Sequence, residues 1–247
     1  MVIAISLIFL QPFCIFKHLQ SVKKIIKIVL IGSLGLVSCK KAELKKPVDV
    51  NFAFEMIATE GQDPLKIQSG EINLLNFDVS GDRIEGDDIS FMRTFPNNLT
   101  TDVNGSGEIK ELDYNLPQGE YSEVLLDFST ISNQAHHSLE LEGKYIDGPL
   151  NVDVRLEVDS EVDFNVIGQD FEGLGTINLD KNLPKKVDVQ LNVAHWFSEI
   201  TALMWTSADL TTENNVDVIV INSTNNQSIY NSVLSNIPED NKAIFKN

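Results

Sequence analysis

An alternation of apolar and polar residues constrains the fold of this chain more than any other feature. From Leu150 to Val158 every second residue is aliphatic, and every residue between is polar or charged (LNVDVRLEV). Successive side chains of a β-strand point to opposite faces of its sheet. The pattern therefore predicts a strand with one buried and one solvated face.

The same alternation recurs after Pro47. It predicts strands near residues 48–56, 71–79, 124–128, 139–145, 162–166 and 187–193, and the apolar run 216–221 predicts a more fully buried one. Turns rich in glycine, proline and asparagine separate these runs. The segments 150–158 and 162–166 form either a hairpin that turns at Asp159-Ser160 or one long bent strand.

Two segments near the C-terminus have helical spacing instead. Ala194–Met204 places its large apolar side chains on one helical face, and Thr224–Gln227 resembles a capping box ahead of an apolar series. We predict an all-β fold over 48–247: an antiparallel β-sandwich with two short C-terminal helices that cover an open edge. A split near residue 135 into two smaller sandwiches is the alternative.

A basic and then apolar segment precedes a cysteine near the N-terminus. Lysines at positions 23, 24 and 27 lead into Ile28–Val37, which is too short for a permanent transmembrane helix and is typical of a signal peptide. Its end, Leu36-Val37-Ser38-Cys39, resembles the lipobox of bacterial lipoproteins. The resemblance implies that residues 1–38 are removed as a signal peptide and that Cys39 is lipidated. An ordinary secretory signal with a chance cysteine is the alternative.

Residues 1–20 lie upstream of this complete signal. Met1–Phe16 is a second apolar stretch that Pro12 interrupts. We expect translation to begin near Leu19 or Val22 at a non-AUG start codon, and a genuine N-terminal extension is the alternative.

The segment that would remain is strongly acidic. Residues 1–38 contain four lysines and no acidic residue, so their removal takes the formal net charge from −17 to −21. This charge argues against nucleic acid or anionic lipid as a partner, since both would be repelled. Cys14 would be removed and Cys39 would carry lipid, which leaves no thiol for a disulfide, a metal or a nucleophile. Residues 39–47 form a lysine-rich lipidated tether, or simply a solvated linker.

The motif Leu116-Pro117-Gln118-Gly119-Glu120-Tyr121 marks the start of a strand. Proline fixes φ, glycine can supply a positive φ, and the tyrosine hydroxyl can return to the turn. With the lipobox and the strand rhythm, the motif resembles prealbumin-like (Greek key) β-sandwich lipoproteins of the Bacteroidota. The resemblance implies a fold and no activity, and it carries over no catalytic residue.

The segment 102–113 resembles an EF-hand calcium loop. Its possible oxygen ligands are Asp102, Asn104, Ser106, Glu108 and Asp113, with glycine at the sixth position. The last ligand is shorter than the usual glutamate, and prolines on both sides oppose flanking helices. A glycine-rich hairpin loop is the favoured interpretation, and calcium is the alternative; we expect no other cofactor.

Other polar residues give weaker signals. Adjacent His136 and His137 would point to opposite faces of a strand, which favours surface histidines over metal ligands, and His195 is expected to pack or cap a helix. Carboxylates such as Glu157 and Asp163 alternate with core residues and indicate a solvated face. We find no nucleophile elbow, phosphate loop or zinc helix, so an enzyme is not expected.

These features predict a lipoprotein of the cell envelope that presents a non-enzymatic binding or structural domain to a protein or glycan ligand. Lys40 after the cysteine favours outer-membrane delivery over inner-membrane retention, with a periplasmic or a surface-facing domain both open. The alternatives are a calcium-binding extracytoplasmic protein and, less favoured, a carbohydrate-active enzyme.

Overall fold

Strands form wherever the sequence alternates. The computed structural model describes residues 44–57, 64–105, 109–173 and 175–246. Each predicted strand is present, and the prediction for 150–158 matches β8 at both ends. The strands are β1 (Pro47–Met56), β2 (Leu65–Arg83), β3 (Ile89–Phe91), β4 (Thr94–Asp102), β5 (Asp113–Pro117), β6 (Gly119–Thr130), β7 (Leu139–Asp147), β8 (Leu150–Val158), β9 (Asp163–Asp170), β10 (Ile177–Leu179), β11 (Lys185–Leu191), β12 (Thr211–Glu213), β13 (Val216–Ile221) and β14 (Lys242–Lys246).

The sheet is mixed, so the prediction of purely antiparallel pairing was wrong. Its main order is β12-β13-β8-β7-β2-β6-β9-β14-β11-β1-β5. Three of the pairs, β1–β11, β13–β8 and β14–β9, are parallel. Parallel pairing joins strands that are distant along the chain, and local periodicity carries no information about it.

In the middle of the sheet, two pairs of strands lie end to end beside β2: β6 with β7, and β8 with β9. β6 and β7 both pair antiparallel with β2, one after the other along the same edge. β9 pairs with β6, and β8 pairs with β7, so β8 and β9 run in one direction. The segment 150–166 is therefore the long bent strand, interrupted at residues 159–162, and not a hairpin.

The main strand order closes on itself through the end of β4. Beyond Asp102 the chain reaches β1, where Met56 donates its N–H to the Val103 carbonyl (2.8 Å) and Gly105 donates to the Phe54 carbonyl (2.9 Å). Since β4 also pairs with β2, this contact joins two distant parts of the strand order.

An aromatic cluster fills the interior of the folded sheet. Phe52 and Phe54 of β1 lie 5.3 Å and 6.1 Å from the ring of Phe77 on β2, and Phe54 lies 5.4 Å from Phe128 on β6. All four rings are buried. Contacts between strands this far apart in the order show that the sheet folds over on itself around one core.

The turn at Gly119 behaves as its motif predicts. Gly119 has a φ of 141°, and the Tyr121 hydroxyl donates to the Pro117 carbonyl at 2.5 Å. Burial raises the pKa of Tyr121 to about 12, so this hydroxyl keeps its proton. The bond fixes the chain as β5 turns into β6.

The helical predictions need correction. The described residues contain three short α-helices, α1 (Val193–Trp196), α2 (Ala202–Thr206) and α3 (Gln227–Asn236), and a 3-10 turn at Lys110–Leu112. Ala194–Met204 is thus not one helix. Thr201 starts a second one, because its hydroxyl accepts the Met204 N–H at 3.3 Å.

The predicted capping box does not form either. Asn226 precedes α3 in the left-handed region (φ 51°) and makes no side-chain cap. Its amide instead bonds to the Asp209 N–H and to the Val220 carbonyl, both at 2.8 Å. A tertiary contact has replaced the local one.

The predicted signal peptide, Cys39 and most of the predicted tether lie outside the described residues. Lys46–Asn247 form one compact unit. Among the helices that the structure describes, none combines the length and the apolar character that crossing a membrane would require.

Candidate functional site

A polar cleft of about 340 Å³ lies on the outer face of β2, β4 and β7. Most of its walls are formed by residues that alternate along β2, along β7 and at the end of β4, with side chains that point away from the core. The residues that line it are Ser69, Gly70, Glu71, Asp102, Asn104, Glu140 and Glu142. Four of these seven residues carry carboxylates, so the cleft is strongly acidic.

Strand register places carboxylates side by side across the sheet. Asp102 of β4 is opposite Glu71 of β2, Glu71 is opposite Glu140 of β7, and Glu140 is opposite Glu157 of β8. We call these four residues the acidic row. Directly opposed positions hold their Cβ atoms about 4.5–5.5 Å apart, and like charges there are unfavourable.

Arg155 neutralises one end of the acidic row. Its Nε donates to Glu157 at 2.6 Å, and its two terminal nitrogens hold Glu213 of β12 at 2.8 Å and 2.7 Å. Asn222 donates to the other oxygen of Glu157 at 2.8 Å. The carboxylate of Glu157 is therefore fully engaged by Arg155 and Asn222. This leaves Glu71 in the cleft with an opposed carboxylate on each side, Asp102 and Glu140.

Glu140 has a perturbed acidity. Burial raises the pKa of its carboxyl, and repulsion from Glu142 and Glu157 adds to the shift, while His137 and Arg155 act in the opposite direction. A carboxyl with a raised pKa in a concave site is a feature that binding and catalytic sites share.

The histidine pair lies beside the cleft, in the connection between β6 and β7. His137 Nδ1 is 2.6 Å from an oxygen of Asp159, and His136 Nδ1 is 3.8 Å from an oxygen of Glu71. His195 lies elsewhere, in α1, with its Nε2 3.6 Å from Glu239. Each of these three histidines therefore faces a carboxylate.

The residues of the predicted calcium loop are distributed along β1. Asn104 pairs with Glu55, near one end of β1, whereas Asp113 pairs with Asn51 and accepts a hydrogen bond from its side chain. Four strand residues separate these positions, which corresponds to about 13 Å. Asp102 accepts the Asn104 N–H at 3.1 Å, and both line the acidic cleft.

Calcium remains the untested alternative for this segment, because Ser106 and Glu108 lie outside the described residues. Within the described ranges, no group of three His, Cys, Asp or Glu side chains is placed to hold a metal ion.

No family model, curated protein or solved structure matches the chain. The site must therefore be interpreted from its own chemistry.

An open acidic cleft can accept a cationic group, either an ammonium or guanidinium from a partner or a solvated cation. Sequence reasoning found Asp102 and Asn104 but missed Glu71, Glu140 and Glu142. These three residues come from β2 and β7, and only the pairing register of the two strands brings them side by side. The available signal was their shared place on the polar face of alternating strands, which does not distinguish a cleft from a flat surface.

Proposed function

We propose that this protein is a lipoprotein, anchored in the outer membrane through Cys39, whose β-domain presents a non-enzymatic binding or structural surface. The observation that carries the proposal is the sequence Leu36-Val37-Ser38-Cys39 at the end of a basic and then apolar segment. The first strand begins at Pro47, eight residues later. A short tether joined to an ordered domain supports anchoring at a membrane surface.

Cys14, the other cysteine of the chain, provides a matched control for the lipidation of Cys39. Cells that express the full chain are grown with an alkyne analogue of palmitate, and the protein is followed by fractionation and by mass spectrometry of its mature N-terminus. We expect label on the wild type and on Cys14→Ser, in the membrane fraction, and a mature chain that begins at residue 39. Cys39→Ser should lose the label.

An unlabelled wild-type protein, or a label that persists in Cys39→Ser, would rule out the proposal. Protease added to intact and to permeabilised cells then distinguishes a surface-facing from a periplasmic domain.

The finer fold assignment, a prealbumin-like Greek-key sandwich, belongs to the same proposal. The hydroxyl bond from Tyr121 to Pro117 and the aromatic core enclosed by the folded sheet support it. The three parallel pairs depart from its simplest form. The domain would therefore be a variant of that sandwich in which parallel pairs join strands distant along the chain.

Calcium binding is the second candidate, supported by Asp102 and Asn104 in the acidic cleft. Thermal unfolding with calcium, with magnesium and with chelator tests it directly. A calcium-specific rise in Tm that Asp102→Asn removes would support a site, and equal curves would exclude one. A carbohydrate-active enzyme, the least favoured alternative, would need Glu140 as its general acid, and hydrolysis of a glycan panel that Glu140→Gln abolishes would support it.

A further inference from the structure

Three large apolar side chains are exposed in turns at one end of the domain. Ile84 follows β2 and is 53% exposed, Phe171 follows β9 and is 66% exposed, and Leu183 precedes β11 and is 54% exposed. Each belongs to a different connection, so chain proximity does not explain why they are grouped.

The start of β6 brings these three turns together. The Ile84 N–H donates to the Glu120 carbonyl at 2.9 Å. β10 lies between the turns that contain Phe171 and Leu183, and its residues 177–179 pair with Gly119–Tyr121. β2 and β10 thus flank β6 on its two edges, each about 4.8 Å from it. The turn that contains Leu183 leads from β10 into β11, which is separated from β9 only by β14.

The tether joins the domain at the same place. The Gln118 N–H, one residue before β6, donates to the Lys46 carbonyl at 2.8 Å. Seven residues separate Lys46 from Cys39, and a fully extended chain of that length reaches at most about 25 Å. An acyl group on Cys39 would therefore hold this end of the domain, which we call the tether end, close to the membrane surface.

We infer that the tether end rests on the lipid bilayer, with Ile84, Phe171 and Leu183 inserted into the interfacial layer. The inference rests on the proposed lipidation of Cys39. Exposed apolar side chains grouped at one site mark an interaction surface. The anchor supplies a high effective concentration of lipid at this surface, so three shallow insertions suffice to orient the domain.

The charge around these side chains is mixed. Glu85, Asp87 and Asp88 follow Ile84, Glu172 follows Phe171 and Asp180 precedes Leu183, while Arg83, Lys181, Lys185 and Lys186 lie beside the same turns. The inferred contact is therefore apolar, and it should form on zwitterionic phosphatidylcholine vesicles.

A single thiol-reactive probe can test the orientation, because the lipidated protein would have no free cysteine. The full chain carrying Phe171→Cys is purified in its lipidated form, labelled with an environment-sensitive NBD dye and reconstituted into phosphatidylcholine vesicles. We expect a blue shift of the emission, and strong quenching by lipids that carry a doxyl group near the headgroup. Leu183→Cys provides a second position on the same surface.

Leu203→Cys is the matched control at the opposite end of β2. Leu203 is 75% exposed in α2, where Trp205 stacks on Tyr145 at 4.8 Å, and Tyr145 pairs with Leu65 at the start of β2. Its probe should keep the emission seen in water and escape the lipid quencher.

Vesicle flotation separates the two ways in which the experiment can fail. Protein that does not float with the vesicles contradicts the anchoring itself. Protein that floats while the probes at 171 and 183 behave like the probe at 203 retains the anchor and overturns only the inferred orientation. Probes that become buried in native membranes but not in pure lipid vesicles indicate a protein partner, which also overturns a lipid contact.

Discussion

The acidic row makes a prediction of unusual sign, namely that removing one charge stabilises the protein. Glu140→Gln keeps the size of the side chain and removes the charge that lies opposite Glu71 and Glu157. A like-charged cross-strand pair costs about 0.2–1 kcal/mol. Because Arg155 already neutralises Glu157, the pair with Glu71 dominates. We expect the free energy of unfolding to rise by about 0.5–1 kcal/mol.

The gain should depend on pH in a defined direction. Burial and the neighbouring carboxylates raise the pKa of Glu140 in the folded state, so the folded protein binds this proton more tightly than the unfolded chain does. The charged carboxylate therefore destabilises the wild type above the folded-state pKa. The advantage of Glu140→Gln should be largest near neutral pH and should disappear as the pH falls through that pKa.

Urea unfolding at low ionic strength measures the effect, and Glu142→Gln is the control. Glu142 is two residues along the same face of β7, but its cross-strand partner on β8 is Arg155. Removing its charge should lower stability by about 0.2–1 kcal/mol. If Glu140→Gln destabilises the protein at pH 7, or if both variants shift stability in the same direction, register does not control the electrostatics of the cleft.

Three further substitutions test the packing. Tyr121→Phe removes the hydroxyl bond to Pro117 and should lower the free energy of unfolding in urea by about 1 kcal/mol. Arg155→Met leaves Glu157 half-buried without its cation and should cost about 1–3 kcal/mol, which thermal unfolding would detect. Gly143→Ala places a Cβ 2.3 Å from a backbone carbonyl of β2 and should cost about 1–3 kcal/mol, whereas Gly175→Ala, with no described atom in reach, should stay within about 0.5 kcal/mol by the same assay.

Local patterns predicted the strands well because alternation records which face of a strand is buried. β8 was found with both of its ends for this reason. β2 was predicted as residues 71–79, yet it spans 19 residues. Register shifts at residues 67–69 and 74–76 interrupt its alternation, so its outer parts do not look like one strand.

Features that depend on distant contacts could not be predicted in this way. β1 pairs in parallel with β11, and nothing in the local sequence of either strand identifies the other as its partner. The break after α1 follows from Thr201, which was within reach of sequence reasoning as a possible N-cap. Predicting the cleft would have required the register that places Asp102, Glu71 and Glu140 opposite one another on three strands.

The pairing of β1 also determines when the fold can be completed. Phe52 on β1 is paired with Val187 on β11, 135 residues later along the chain. One edge of the first strand therefore has no partner until the last quarter of the polypeptide is available. Contacts of such long range make folding slow, so the core closes only after about three quarters of the chain has become available.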